Sequence, residues 1–540
     1  MRESWLGWFL RGILILGCLI LVGRLFELQI IKGEYFRDLA EGNRIRRVPI
    51  TAARGKIFAR GGEVLVGNRE VKKQVVFKPE SGYEKLEDFG DVSDEEIITE
   101  WARVYKIGSS FAHVSGYLGE VNKDELSKIN PECPEKGPMK MGSLIGRGGL
   151  EQEYECLLSG IDGEELVEVD SLGKKIRVLG RREPVPGQDI QTNIHFNLQQ
   201  KVAEKMEGKE DLPAGRQGAI VVTDIKGEVL ALYSSPSFDP NIFVKGGNSA
   251  EIERVLTNSD LPLFNRAISG AFAPGSVYKP VVAIAALEEG EIDKDFVYED
   301  TGQIVIETPY GIFSYSNWYF TQYGRTEGEI KLVRAIARST DTFFYKIGEL
   351  VGIEKLVEWS HKFGLGEKTG IDLPGEITGL IPSPEWKERV KGERWFLGNT
   401  YHIAIGQGDI ALSPIGVNSA ISVIASNGYL CTPRIMKTQD CHKLGLNNEN
   451  LNLVKQGMTG ACSQDGTGYT FFDFNPQIAC KTGTAETNEE GVTHAWFSVF
   501  GPSDFPEVVA TVLVEKGGEG SRVAGPIARE IFDYWFEQSR

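Results

Sequence analysis

Nineteen residues near the N-terminus, Trp5 to Gly23, read WLGWFLRGILILGCLILVG, and they decide what the rest of the chain can be. Eleven of them are Leu, Ile, Phe or Val. Each contributes about -0.3 to -0.6 kcal/mol at the centre of a membrane helix, a sum on the order of -3 to -7 kcal/mol. The single charge, Arg11, costs roughly +2.5 to +3.5 kcal/mol there, and less if its head snorkels to the interface. The apolar run wins, so the sequence predicts a membrane-crossing helix. A cleavable signal peptide is the rival, but its apolar core would be shorter and would end in small residues. Here the run passes into Arg24-Leu25-Phe26-Glu27-Leu28, which reads as helix continuing, so an uncleaved anchor is expected. Charge leaves orientation open, because Arg2 and Arg11 face Arg24 and Lys32 across the run.

The remainder of the 540 residues is long enough for two or three domains with one sizeable core. A content of 41% hydrophobic and 25% charged residues is that of a folded protein. The formal charge of -17 argues against a nucleic-acid partner, although Arg44, Arg46 and Arg47 could meet anionic headgroups. Seven cysteines show no C-x-x-C pair, and six scattered histidines give no metal cluster. Cys431 and Cys441 could bond to each other, but two buried thiols are the favoured reading.

Residues 25 to about 190 are mixed, with short strand-like runs such as Val48 to Ile50 and Gln74 to Phe77. Beyond them the strand candidates sit at the two ends of one long region. Gly218 to Asp224 and Glu228 to Ser234 flank a hairpin turn at Ile225-Lys226-Gly227, and Gln477 to Thr484, His494 to Phe500 and Val508 to Val514 follow late in the chain. Helical patterns cover Pro280 to Glu288, Leu332 to Glu349, Pro414 to Ser426 and Ala524 to Phe536. The expected fold class is α+β: one five-stranded antiparallel sheet built from both ends of a domain, with helices inserted between.

Three short strings carry chemistry. Ser276-Val277-Tyr278-Lys279 places a hydroxyl and an amine three apart, on one face of a helix. A serine needs an adjacent base, and a lysine serves if burial and a nearby positive charge keep it neutral. Pro274-Gly275 would set the serine at a helix start, where the dipole favours an oxyanion. The spacing alone is weak: it recurs at Ser171 and Lys174, and about two such pairs are expected by chance in a chain of this composition. Ser339-Thr340-Asp341 offers a proton-relaying hydroxyl, or simply a helix N-cap. Lys481-Thr482-Gly483-Thr484 offers a cation for a carboxylate, a glycine that lets a ligand approach, and a backbone N–H for a carbonyl oxygen. A second Lys-Thr-Gly at Lys368 to Gly370 runs into a loop sequence, so only the later copy can line a sheet edge.

Ser-x-x-Lys, Ser-x-Asp and Lys-Thr-Gly in that order form the signature of penicillin-interacting serine enzymes, whose second motif usually carries Asn. On these motifs the chain resembles class B penicillin-binding proteins, most closely the elongation-type group called penicillin-binding protein 2. Further stretches share the resemblance. Arg54-Gly55-Lys56-Ile57, AHVSGYLG from Ala112, and Gly149-Leu150-Glu151 with Tyr154-Glu155 look like pedestal motifs. Gly218 to Asn241, Gly370 to Trp386, Ile405 to Gly408 and His494 to Phe497 look like transpeptidase motifs. Ala59-Arg60-Gly61-Gly62 departs from the family's usual Asp-Arg-Asn-Gly. Asp341 followed by Phe343-Phe344-Tyr345 leans to the elongation type over the division type.

The resemblance implies an anchor at residues 1–24, a pedestal at 25–190 and a penicillin-binding transpeptidase domain at 191–540. It implies that Ser276 attacks the carbonyl between the terminal D-alanines of a peptidoglycan stem peptide and that Lys279 is its base. Ser339 would pass the proton toward the departing D-Ala, with Asp341 ordering that site. Lys481 and Thr482 would hold the terminal carboxylate, Gly483 would let the substrate approach the backbone, and the N–H groups of Ser276 and Thr484 would bind the oxyanion. Penicillin and other β-lactams would mimic the first step. The catalytic part would lie outside the cytoplasmic membrane beside a multi-pass glycosyltransferase. Some relatives carry zinc between the first two motifs; Ser276 to Ser339 holds no His or Cys, so no metal is expected. The alternatives are a β-lactamase or carboxypeptidase, a division-type transpeptidase, and an idle scaffold that activates a glycosyltransferase.

Overall fold

The computed structural model describes residues 5–78, 82–86, 97–170, 175–208, 216–244, 249–309, 311–436 and 440–538. The pair Ser171 and Lys174 lies outside them. The chain forms two compact units: residues 1–55, 68–102 and 159–188 make one, and residues 56–67, 103–158 and 189–540 make the other.

In the first unit, α1 (Trp5–Phe26) continues through a π-helical turn, Glu27–Ile31. No residue of either is buried. Together they span 27 residues, about 40 Å of helix and enough to cross a hydrocarbon layer of about 30 Å. α2 (Gly33–Arg44) leads into β1 (Ile45–Ile50), which pairs antiparallel with β2 (Gly163–Val169), and β2 pairs antiparallel with β3 (Lys175–Arg182). Two of the arginines read as headgroup contacts have carboxylate neighbours across this sheet: Arg44 pairs with Glu168 at 3.2 Å and Arg47 with Glu164 at 3.5 Å.

The second unit holds the five-stranded sheet. β4 (Gly218–Asp224) and β5 (Val229–Ser235) form the expected hairpin, its turn held by the Asp224 carboxylate accepting from the N–H groups of Lys226 and Glu228. β6 (Ala479–Glu486), β7 (Thr493–Gly501) and β8 (Val508–Val514) complete it in the order β5-β4-β8-β7-β6, all antiparallel. These strands read as continuous apolar runs because both faces are covered. Val509 and Leu513 pack into one core with helix α7 (Pro414–Ala425), while Val508, Ala510 and Val512 pack into another with α3 (Phe196–Glu207) and α8 (Gly520–Gln538). Hairpin, helical inserts and return to the sheet match the α+β expectation. β6 is the sheet edge, so one side of its backbone is left for other partners.

Two expectations are corrected here. Leu332 to Glu349 is not one helix: α5 (Leu332–Arg338) stops, and α6 (Asp341–Val351) starts after Ser339 takes left-handed backbone angles, φ 56° and ψ 37°. Cys431 and Cys441 are not two buried thiols. They stand opposite each other on paired strands and form a disulfide, and Cys441 is exposed. Cys133–Cys156 and Cys462–Cys480 are bonded as well, which leaves Cys18 free.

The motif at Gly149 to Glu151 has a packing reason. A Cβ on Gly149 would lie 2.2 Å from the Gly116 nitrogen, and the buried Glu151 carboxylate accepts from Arg103 Nε at 2.7 Å.

Candidate active site

Ser276 is the second residue of a 3-10 turn, Gly275–Tyr278, that runs directly into α4 (Lys279–Glu288). The first N–H groups of a helix have no intrahelical acceptor, so this start can serve an oxyanion. Gly275 has φ 57°, and a Cβ there would come within 2.9 Å of the Thr484 carbonyl oxygen. A Cβ on Gly483 would lie 2.9 Å from the Trp496 Cβ and 3.1 Å from the Pro274 oxygen. These two glycines let the helix start and the edge strand β6 approach backbone to backbone.

The orientation of Thr484 follows from one side chain. Gln407 Nε2 donates to the Thr484 oxygen at 3.2 Å, and its Oε1 accepts from the Glu486 N–H at 3.2 Å. In an antiparallel strand a residue's N–H and C=O point to the same side. The Thr484 N–H therefore faces outward from the sheet edge, the side on which Gly275 and Ser276 lie.

Ser339 links the other two motifs. Its Oγ accepts from Lys279 Nζ at 3.2 Å and from Lys481 Nζ at 2.8 Å. Lys279 Nζ also donates to the Ser339 carbonyl at 2.8 Å and to Asp341 Oδ1 at 2.6 Å. The left-handed Ser339 conformation costs roughly 1–2 kcal/mol in a non-glycine residue. It turns both oxygens toward one ammonium, which an unbroken helix would not do. The N-cap reading of Ser339 to Asp341 does not hold: Thr340 occupies the cap position, yet its side chain makes no capping bond.

Asp341 is itself held from two sides. Its Oδ2 accepts from the Trp318 N–H at 3.0 Å, and its own N–H donates to Asn317 Oδ1 at 3.2 Å. Both lysines are buried completely. Burial lowers the Lys279 pKa from its ordinary value, against the pull of the Asp341 carboxylate. Burial pushes Lys481 well below its ordinary value, helped by the Lys279 charge and opposed by Asp341. Two amines with one carboxylate between them thus put a neutral lysine within reach.

A cavity of about 500 Å³ is lined by Ser276, Ser339, Asp341, Thr482 and Thr484. All eight residues expected at the site converge around it, but not with equal access. Lys279 and Lys481 lie behind Ser339 and do not line the cavity, and among the described residues Lys279 Nζ has no hydrogen bond to Ser276. Thr467 was not foreseen. Its hydroxyl accepts from Thr482 Oγ1 at 2.9 Å, and it lines the cavity from a segment that no motif marks. The other Lys-Thr-Gly is a loop already filled by an internal anion, since Glu376 accepts from the N–H groups of Thr369 and Gly370 at 2.7 and 3.0 Å. Among the described residues no three His, Cys, Asp or Glu side chains gather as a metal would need.

Residues 218–533 match the model of the penicillin binding protein transpeptidase domain, and residues 83–192 match the penicillin-binding protein dimerisation domain. The chain belongs to the penicillin-binding protein transpeptidase family. Among its relatives, the peptidoglycan D,D-transpeptidase MrdA of Acinetobacter baumannii is 32% identical, over 98% of this chain and 87% of that one. The solved structure of Pseudomonas aeruginosa PBP2 in complex with WCK 5153 is 31% identical with a TM-score of 0.74, over 91% of this chain and 96% of that one. A chain from a peptidoglycan synthase complex, described for the coordination of polymerisation and crosslinking, is 28% identical with a TM-score of 0.76 over 98% of each. This family member is a peptidoglycan D,D-transpeptidase, a serine-type acyl-transfer enzyme of cell-wall synthesis.

Proposed function

We propose that Ser276 forms the acyl-enzyme, taking the acyl group from the D-Ala-D-Ala end of a donor stem and passing it to the amine of a second stem during wall elongation. The observation that carries this reading is the Ser339 hydroxyl shared between Lys279 and Lys481, at the edge of the cavity that also holds Ser276, Thr482 and Thr484. In its neutral form Lys279 takes the Ser276 proton. Ser339, in contact with both lysines, carries a proton toward the departing D-Ala nitrogen, while Asp341 holds Lys279 in place. The terminal carboxylate rests on the hydroxyls of Thr482 and Thr484, in the field of Lys481. The N–H groups of Ser276 and Thr484 receive the oxyanion. Gly483 keeps these two donors at the right separation, so Gly483→Val is expected to slow acylation about a hundredfold, the scale of losing one oxyanion donor. Stopped-flow acylation by a fluorescent penicillin measures this, and an unchanged rate would remove Gly483 from the argument.

The division into residues 1–24, 25–190 and 191–540 as anchor, pedestal and catalytic domain is supported by the apolar helix and by the two matched family models. Three disulfides favour an oxidising location, so we place the catalytic domain outside the cytoplasmic membrane. The relative from a synthase complex that couples polymerisation to crosslinking supports a glycosyltransferase partner. The testing experiment is the lifetime of a penicillin adduct on the full-length protein. A transpeptidase should keep the adduct for many minutes, with mass spectrometry locating it on Ser276. Release within seconds would favour a β-lactamase.

A further inference from the structure

Asp341 starts helix α6, and two adjacent residues clasp it there. Asn317 Oδ1 accepts from the Asp341 N–H at 3.2 Å, and the Trp318 N–H donates to Asp341 Oδ2 at 3.0 Å. Asn317 precedes the short helix Trp318–Tyr323, a position where asparagine ordinarily caps the first turn. Here its side chain makes no capping bond. The amide is engaged at both ends instead, because Nδ2 donates to Asp300 Oδ2 at 3.0 Å. Its backbone is held by the same turn, since the Asn317 N–H donates to the Gly302 carbonyl at 2.8 Å.

Asp300 is 1% exposed, and among the described residues four donors converge on it. Its Oδ1 accepts from the Gly302 N–H at 3.0 Å and from Thr342 Oγ1 at 2.7 Å. Its Oδ2 accepts from Asn317 Nδ2 at 3.0 Å and from the Glu327 N–H at 2.9 Å. All four donors are uncharged. An ionised carboxylate is an acceptor on both oxygens, so it alone can meet every one of them. A protonated acid or an amide would turn a donor of its own toward at least one. Burying a charge is costly, and these hydrogen bonds offset that cost. The charge also gives the Asn317 amide a single orientation. Its nitrogen must face Asp300, so its oxygen faces the Asp341 N–H.

We propose that Asp300 is a positioning residue for acyl transfer: by fixing the Asn317 amide it holds the Asp341 carboxylate against Lys279. This rests on the reading above of Ser276 as nucleophile and Lys279 as base. The test mixes full-length protein in detergent with a fluorescent penicillin at rising concentrations, which separates the dissociation constant of the first complex from the acylation rate constant. Asp300→Asn should slow acylation about tenfold with that dissociation constant unchanged, less than the roughly hundredfold cost of a 1 Å misplacement because the Trp318 N–H still holds Asp341. Asn317→Asp breaks the same link from the other side. One oxygen still accepts from the Asp341 N–H, but the donor to Asp300 is gone. It should slow acylation to a similar extent, and it decides the matter if Asp300→Asn does not fold. Thr342→Val removes a different donor from Asp300 and leaves the Asn317 link intact. It should lower the thermal unfolding midpoint while acylation stays as in the wild type. Unchanged acylation in a folded link variant would overturn the proposal. So would an equal slowing in Thr342→Val, or a first complex that weakens in step with slower acylation. Absence of any penicillin adduct on Ser276 in the wild type would instead overturn the acyl-enzyme reading itself.

Discussion

Ser276→Ala is expected to abolish covalent labelling by penicillin while the protein remains folded. The change removes the only atom able to form the ester, so the loss should be complete rather than graded. The structural cost is small. Among the described residues the Ser276 side chain has no hydrogen-bond partner, it is half-buried, and its backbone angles suit alanine. Such a truncation shifts stability by about 0.5 kcal/mol or less. Fluorescent penicillin on a denaturing gel reads the first effect, and thermal unfolding reads the second. A labelled variant with unchanged stoichiometry would move the nucleophile elsewhere. Normal growth of cells holding Ser276→Ala as their only copy would favour an idle scaffold over a working cross-linker.

Lys279→Arg should slow acylation by about a thousandfold, within the range of losing a general base. A guanidinium keeps the positive charge beside Asp341 but cannot give up its proton. The variant therefore separates charge from basicity, which alanine would not: Lys279→Ala would also leave the Asp341 carboxylate without its cation, a loss of about 3–5 kcal/mol for a buried pair. The larger side chain in a fully buried site should lower stability by about 1–3 kcal/mol. Acylation should thus be compared at a temperature where the variant is folded. The pH dependence gives a second readout. Burial lowers the Lys279 pKa, and as the proposed base it would react as the neutral amine. The wild-type rate should rise as pH increases through that lowered pKa, and Lys279→Arg should show no such rise. Near-normal acylation by the variant would end the assignment of Lys279 as base.

Much of this site was legible before folding, for identifiable reasons. The strands of the central sheet showed as apolar runs because both faces of the sheet are covered, and the hairpin turn announced itself by Ile225-Lys226-Gly227. The break at Ser339 did not. Apolar residues continue at helical spacing from Leu332 through Val351, and a left-handed serine carries no local mark. Thr467 was invisible because its role depends on a contact with Thr482, fifteen residues later in the chain. The disulfides were equally out of reach, since Cys462 meets Cys480 only after a helix end and a sheet strand have come together.

The candidate reacting groups and the long apolar N-terminal run were thus legible in the order of the residues, because hydroxyl, amine and apolar length are properties of side chains taken singly. Their access was a matter of folding. Only the tertiary structure decided that both lysines lie buried behind one serine hydroxyl, and that one Lys-Thr-Gly edges a cavity while the other wraps the Glu376 carboxylate. Burial and shared hydrogen bonds arise between segments far apart in the chain, and a short string carries neither.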